Sequence, residues 1–190
     1  MKRLAILTVL LAPGAVLAQE AATTRPDIGY TYAELRFVDT DEGGGDGLRI
    51  SGSYDLGNNW LIIGGLTSID YRGDVDQTIL EIGGGYVFAF NEDFDIIASA
   101  SVIDMDIDVP GSGNVNRDDS GISLSAGVRG LVTPEFEVRG SVTHVALDDS
   151  DTYLEIGGDY HFTRQIAAGV SVQLAGDNDL FTVGARWFFR

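Results

Sequence analysis

Asp104-Met105-Asp106-Ile107-Asp108 is the run whose residue types and spacing come nearest to a chemical site. Alternate side chains of an extended strand point the same way, so its three carboxylates fall on one side. Hard oxygen donors of this kind suit a divalent cation. The run lacks the twelve-residue spacing, the glycine and the closing glutamate of an EF-hand loop. Nucleophilic catalysis has less to build on, since the chain holds 2 histidines and no cysteine. Ser141 and His144 are three apart, which on a strand gives opposite parity, so they do not meet within it. The clusters Gly64-Gly65, Gly83-Gly84-Gly85 and Gly157-Gly158 precede no helical pattern, so a phosphate-cradling loop is not indicated. They fit bends and close packing in strands. No catalytic residue, no cofactor and no enzyme activity is expected.

Composition narrows the setting. The 190 residues carry 29 acidic and 12 basic side chains, a formal net charge of −17. That sign opposes the counterion release that drives nucleic-acid binding, so no nucleic acid is expected as a partner. Absence of cysteine excludes a disulfide framework and a thiolate metal site. Residues Met1 to Ala18 read as a secretory signal peptide. Lys2 and Arg3 form its basic start, Leu4 to Leu11 its apolar run, and Val16-Leu17-Ala18 its small-residue cleavage site. Its removal makes the remainder more acidic by two charges. No apolar stretch approaches the ~18–20 residues of a membrane helix.

The elements that must position these residues are strands. Ten runs alternate apolar with polar residues: Gly29–Val38, Gly47–Leu56, Trp60–Ile69, Gln77–Phe88, Phe94–Met105, Gly121–Val132, Phe136–Ala146, Thr152–Phe162, Gln165–Leu174 and Leu180–Phe189. Tight connectors (57–59, 89–93, 133–135, 163–164) alternate with acidic, mostly longer ones (39–46, 70–76, 106–120, 147–151, 175–179). The loop-end segments, with Asp104 at their edge, hold more than half of the 29 acids. Short turns at one end and longer loops at the other are the plan of a membrane-spanning barrel. The fold class is therefore all-β, a closed antiparallel up-and-down transmembrane barrel of ten strands, with eight as the alternative. The divisions are 1–18 signal peptide, 19–28 periplasmic lead and 29–190 barrel.

Face composition agrees with this plan. Ile166, Ala168, Val170, Val172 and Leu174 share one face, with Ala167, Gly169, Ser171 and Gln173 opposite. A soluble sheet would crowd its polar face with lysine and glutamate. Here that face is mostly serine, glycine and threonine, which suits a narrow packed lumen. Lipid outside forbids open sheet edges, so the sheet must close. Trp60, Phe88, Phe94, Phe136, Phe162, Trp187 and Phe189 fall at the tight-turn end, where rings form an interfacial girdle. Phe37 and Phe181 mark a thinner girdle at the loop end. Strand three is ambiguous, because Leu61, Ile63 and Ile69 oppose Trp60, Ile62 and Leu66. Leu80–Phe88 resembles Leu154–Phe162, a self-similarity between two descending strands.

By parity the lumen receives Glu34, Arg36, Arg49, Glu81, Arg129, Arg139, Glu155 and Arg186. Charges at bilayer depth must pair or meet water. Two readings follow: a salt-bridge network that fills the barrel, or the lining of a narrow charge-selective pore.

The last strand brings in a resemblance. Thr182, Gly184, Trp187 and Phe189 resemble the C-terminal assembly signal of bacterial outer-membrane barrels, with Arg190 after the expected terminal aromatic. Together with Tyr30-Thr31-Tyr32-Ala33-Glu34 and Asp46-Gly47-Leu48-Arg49, the chain resembles small Gram-negative outer-membrane β-barrel proteins of the opacity-protein and OmpA-like kind. The resemblance implies an outer-membrane location with a periplasmic N-terminus. It implies lipid, lipopolysaccharide and the barrel-assembly machinery as partners. It leaves activity open, because such barrels host adhesins, pores, enzymes and structural proteins. The acidic loops read either as a repelling, solubilising surface or as a cation site at Asp104, Asp106 and Asp108 that bridges to lipopolysaccharide phosphates.

Overall fold

The computed structural model describes residues 28–41, 44–73, 75–109, 117–148, 150–176 and 179–189. The expected signal peptide, the lead up to residue 27, the acidic loop residues Glu42, Asp74, Asp149 and Asp177, and Arg190 lie outside the described residues.

Ten strands form: β1 (Tyr32–Thr40), β2 (Asp46–Gly57), β3 (Trp60–Tyr71), β4 (Val75–Ala89), β5 (Phe94–Asp108), β6 (Arg117–Thr133), β7 (Phe136–Ala146), β8 (Ser150–His161), β9 (Ile166–Leu174) and β10 (Leu180–Phe188). Each pairs antiparallel with its neighbour in the chain, and β10 closes onto β1 from Tyr32 opposite Phe188 to Thr40 opposite Leu180. The barrel is thus ten-stranded, and the eight-strand alternative falls. Closure gives every ladder a partner, as a sheet in lipid requires.

Local chemistry explains the tight turns. Gly57, Asn58 and Asn59 take positive φ (81°, 53° and 70°), the conformation of a two-residue hairpin whose twist matches its strands. The other three turns use side-chain oxygens. Asn91 Oδ1 accepts from the amides of Asp93 and Phe94, each at 2.9 Å. Thr133 Oγ1 accepts from Phe136 N at 3.1 Å, and Thr163 Oγ1 from Ile166 N at 3.0 Å.

Period-two burial runs through nearly every strand, with β1 strictly alternating. The outward face is apolar and exposed, from Leu35 and Phe37 on β1 to Val183 and Trp187 on β10. On β3 the structure resolves the ambiguity: Leu61, Ile63 and Ile69 point inward and are buried, whereas Trp60, Ile62 and Leu66 are exposed. The physical reason is that the lumen is not uniformly polar. An apolar layer closes its loop end, built on Val38, Ile69, Ile79, Met105, Tyr153 and Leu180. A second layer closes the turn end, built on Ile28, Tyr30, Leu61, Ile63, Val87 and Ile97, with Tyr32 and Phe188 beside it. The charged side chains share the turn half of the lumen with this second cluster: Asp95 lies one inward position nearer the turn than Ile97 on β5 and accepts from Tyr30 Oη.

At two places the strand boundaries differ from the sequence expectation by more than two residues. β1 begins at Tyr32 rather than Gly29, because Ile28 and Tyr30 turn into the lumen mouth and are buried there. Tyr30 Oη donates to Asp95 Oδ2 at 2.9 Å, and its ring lies beneath the Arg129 guanidinium at 5.0 Å. β5 and β6 run on to Asp108 and back from Arg117, which shortens their connector to 109–116. Pairing continues through Asp106 opposite Asp118 and Ile107 opposite residue 117, and Ile107 is buried inside. Asp104, Asp106 and Asp108 therefore stand on the outward face of a strand, which corrects their placement in a loop.

Candidate functional site

The charged zone is organised around Arg186. On the wall it stands directly opposite Glu34 of the neighbouring strand, and its Nε donates to Glu34 Oε2 at 2.5 Å. Its Nη1 donates to Glu137 Oε1 at 2.9 Å, and Nη2 lies 3.6 Å from Asp159 Oδ2. Its guanidinium also covers the Tyr32 ring at 4.5 Å. Arg129 grips Glu137 with two bonds of 2.7 Å, the planar fork matched to a carboxylate. Arg36 donates to Glu34, and through Nη2 to Asp159 Oδ1 at 2.7 Å. Arg139 donates to Asp159, and its Nε lies 3.6 Å from Glu155 Oε1.

These contacts offset an unfavourable wall. Arg129 opposes Arg139, Glu137 opposes Asp159 and Arg36 opposes Arg49 on adjacent strands. Directly opposed like charges destabilise a sheet. The first pair is neutralised by Glu137, Asp159 and Glu155 on adjacent strands, and the second also by Arg186 and Arg36, which reach in from β10 and β1. All five arginines, Arg36, Arg49, Arg129, Arg139 and Arg186, and six carboxylates, Glu34, Glu81, Asp95, Glu137, Glu155 and Asp159, are buried. Their charges are nearly balanced, as a low-dielectric interior demands.

Of the eight residues placed in the lumen by parity, six join this network: Glu34, Arg36, Arg129, Arg139, Glu155 and Arg186. Two stand apart. Arg49 makes one long bond, Nε to Thr67 Oγ1 at 3.3 Å, and no salt bridge among the described residues. Glu81 accepts from Ser123 Oγ at 2.9 Å. Sequence reasoning missed the carboxylate hubs Glu137 and Asp159, and it missed Asp95. The signal was available, since Glu137 shares its face with Arg139 and Asp159 shares its face with Glu155.

Outside the barrel, above the apolar band, the acids form a collar. Asp39 opposes Asp46, Asp46 opposes Asp70, Asp70 opposes Asp76, and Asp76 opposes Asp108, across five consecutive strands. All five are exposed on the outward face. Asp106 faces Asp118, and their shared hydrogen bond holds the Asp106 carboxyl above its usual range. Repulsion from Asp118, Asp104 and Asp108 acts in the same direction. Ser120 Oγ donates to Asp104 Oδ2 at 2.8 Å. Among the described residues no group of three or more His, Asp or Glu is arranged to hold a metal ion. The collar is a charged surface without a preformed cage.

The candidate assembly signal divides between faces. Thr182 is buried in the lumen, 2.7 Å from Ser171 Oγ, and Gly184 lies inward against Arg36. Trp187 and Phe189 are exposed on the lipid side. The odd step from Gly184 to Trp187 is what switches the face. The histidines serve local contacts. His144 Nδ1 lies 2.9 Å from Thr152 Oγ1 on the outer face, whereas Ser141 is buried inside. His161 Nε2 lies 3.2 Å from Glu137 Oε2, and its ring stacks on Phe188 at 5.4 Å.

Comparison with known proteins supplies the family. The outer membrane protein beta-barrel domain family matches residues 4–181. Among solved structures the chain is similar to the KdgM porin, at 13% identity and a TM-score of 0.52, covering 84% of this chain and 99% of that one. The KdgM porin in complex with disordered oligogalacturonate matches at 12% identity and a TM-score of 0.51, covering 84% and 100%. Ail, the attachment invasion locus protein of Yersinia pestis, matches at 17% identity and a TM-score of 0.44, covering 84% and 97%. At identities this low the two KdgM porin structures speak for the fold alone. No curated protein matches the chain. A closed ring with an apolar outer band and a family match over nearly its whole length identify the chain: it belongs to the outer membrane protein beta-barrel domain family and lies in the outer membrane of a Gram-negative bacterium.

Proposed function

We propose that the chain is a closed, non-enzymatic barrel whose acidic outer surface carries its role, and that its lumen does not conduct. One observation carries this reading: Arg186 bridges Glu34 and Glu137 across the lumen, with an apolar layer toward the loops and Tyr32 and Phe188 on its turn side. An ion crossing the axis would have to displace buried ion pairs and then dehydrate twice. Breaking such a pair by removing one partner costs about 3–5 kcal/mol.

The collar of Asp39, Asp46, Asp70, Asp76 and Asp108 begins where the apolar band ends. That is the level of the lipid head groups. Divalent cations shared between these carboxylates and lipopolysaccharide phosphates would relieve the repulsion on both sides. Asp104, Asp106 and Asp108 extend the same surface on β5. Thr182, Gly184, Trp187 and Phe189 serve recognition by the assembly machinery, and the N-terminal lead lies on the periplasmic side with the tight turns. A narrow charge-selective channel is the second reading, favoured by the Arg49 guanidinium nitrogens that lack protein partners.

Ion flux into vesicles holding the refolded, heat-modifiable protein separates the two readings. The closed barrel gives flux no greater than protein-free vesicles. Flux that changes ion preference in Arg49→Gln establishes the channel.

A further inference from the structure

Residues 28–31 precede β1 and stand outside its ladder, yet Ile28 and Tyr30 are buried. A segment at the edge of a domain is poorly ordered unless something ties it down. Here Thr31 supplies the tie, on two sides. Its carbonyl oxygen accepts from Phe189 N at 2.9 Å, just past the end of β10. Its Oγ1 accepts from Asp55 N of β2 at 3.1 Å. Before Thr31 the chain passes so close to β10 that a Cβ at Gly29 would lie 2.9 Å from the Phe188 ring.

From that anchor the segment leaves its own wall. Tyr30 Oη donates to Asp95 of β5 at 2.9 Å. The guanidinium of Arg129 on β6 lies 5.0 Å from the centre of the Tyr30 ring, and its Nη1 donates to the Gly29 carbonyl oxygen at 3.4 Å. In a closed ring of ten strands, β6 is five places from β1 in either direction. These contacts therefore run across the mouth and not along the wall. Ile28 and Tyr30 pack in one cluster with Leu61, Ile63, Val87 and Ile97 of β3, β4 and β5, all buried. What holds the segment across the mouth is a few side-chain contacts and no ladder. Such a segment opens at far lower cost than the ring it covers.

We propose that residues 28–31 are a strap, hinged at Thr31, which shuts the turn-end mouth of the lumen and can swing out while the ten-stranded ring stays folded. Tyr30 fastens it, with its ring under Arg129 and its hydroxyl on Asp95. This goes beyond the closed lumen: it names the residues that shut one end and makes that end openable, whereas the loop-end layer stays shut either way.

The chain has no cysteine, so a single introduced thiol is a clean reporter. The full chain, refolded in detergent micelles, carries Ile97→Cys beneath the strap or, in a separate protein, Ile103→Cys in the loop-end layer. Labelling by a charged, water-soluble methanethiosulfonate is followed in time. With Tyr30 in place the Ile97→Cys thiol should react slowly. Tyr30→Phe keeps the ring and loses the hydrogen bond to Asp95, so labelling should be about tenfold faster or more. Tyr30→Ala should be faster still, with heat-modifiable gel mobility showing the barrel folded. Tyr30→Phe guards against a Tyr30→Ala that does not fold. The Ile103→Cys thiol should react no faster in either variant. Equal labelling of Ile97→Cys with and without Tyr30, fast or slow, overturns the proposal, since the strap then shuts nothing. Rates that rise together at both reporters also overturn it, because Tyr30 then holds the whole barrel and not one mouth. Fast labelling of Ile103→Cys with Tyr30 in place would sink the closed loop end instead, and a rise confined to Ile97→Cys would still support the strap.

Discussion

Arg186 on β10 and Glu137 on β7 meet at 2.9 Å although β8 and β9 separate them on the wall. Such a contact is a chord through the lumen, and it ties distant strands together in a way the ladder alone does not. Arg186→Met removes the chord and leaves Glu34, Glu137 and Asp159 buried with less counter-charge. The expected loss is about 3–5 kcal/mol in urea unfolding of the refolded barrel. A loss below about 1 kcal/mol, the range of exposed pairs, would mean the network is solvated.

Gly184 has a steric role apart from any recognition signal. A Cβ there would lie 2.1 Å from the Leu35 carbonyl oxygen and 2.6 Å from Arg36 Cγ. Gly184→Ala is expected to cost about 1–3 kcal/mol by overpacking. The cost should appear in refolding without any assembly machinery. Gly64→Ala faces only the Glu81 carbonyl oxygen at 3.4 Å and should be far milder. Equal effects for the two would refute the steric account.

The collar makes a prediction in pH. Asp106 is easier to protonate in the folded barrel than in the unfolded chain, because it shares a hydrogen bond with Asp118 among other acids. Its contribution to stability is therefore present in acid and lost as pH rises beyond the ordinary aspartate range. Asp118→Asn should raise the unfolding midpoint at neutral pH. The gain should shrink as pH falls through the carboxylate range. A gain of equal size at every pH would exclude repulsion as its cause.

Trp60 and Trp187 are both exposed on the outer face at the turn end. Trp60 packs edge-on against Tyr86 at 4.9 Å. Interfacial rings should sit at one depth in a bilayer. Brominated lipids should quench single-tryptophan variants of the two alike, most strongly near the glycerol level. Quenching of one and not the other would contradict the orientation of the barrel.

How much of this was legible in the sequence follows from its periods. A strand with one lipid face and one polar face alternates strictly, so β7 was placed to the residue at Phe136–Ala146. β3 was ambiguous because both its faces are apolar: Leu61 and Ile69 enter the lumen layers, and Ile62 meets lipid. Parity also gave the inward arginines. It could not give their partners, because Arg186 and Glu137 meet across the lumen, and alternation along one strand says nothing of the strand opposite. The hubs Glu137 and Asp159 shared a face with residues already recognised. The ends of β5 and β6 were missed because aspartates mimic loop composition, while buried Ile107 carries the ladder through them.

The central claim is that the lumen is shut. Single-channel recording of the refolded, heat-modifiable full chain in a planar bilayer tests it most directly. The account expects no current steps above those of protein-free membranes, at any polarity. Reproducible steps, with ion selectivity altered by Arg49→Gln or Glu81→Gln, would contradict it and make this barrel a narrow channel.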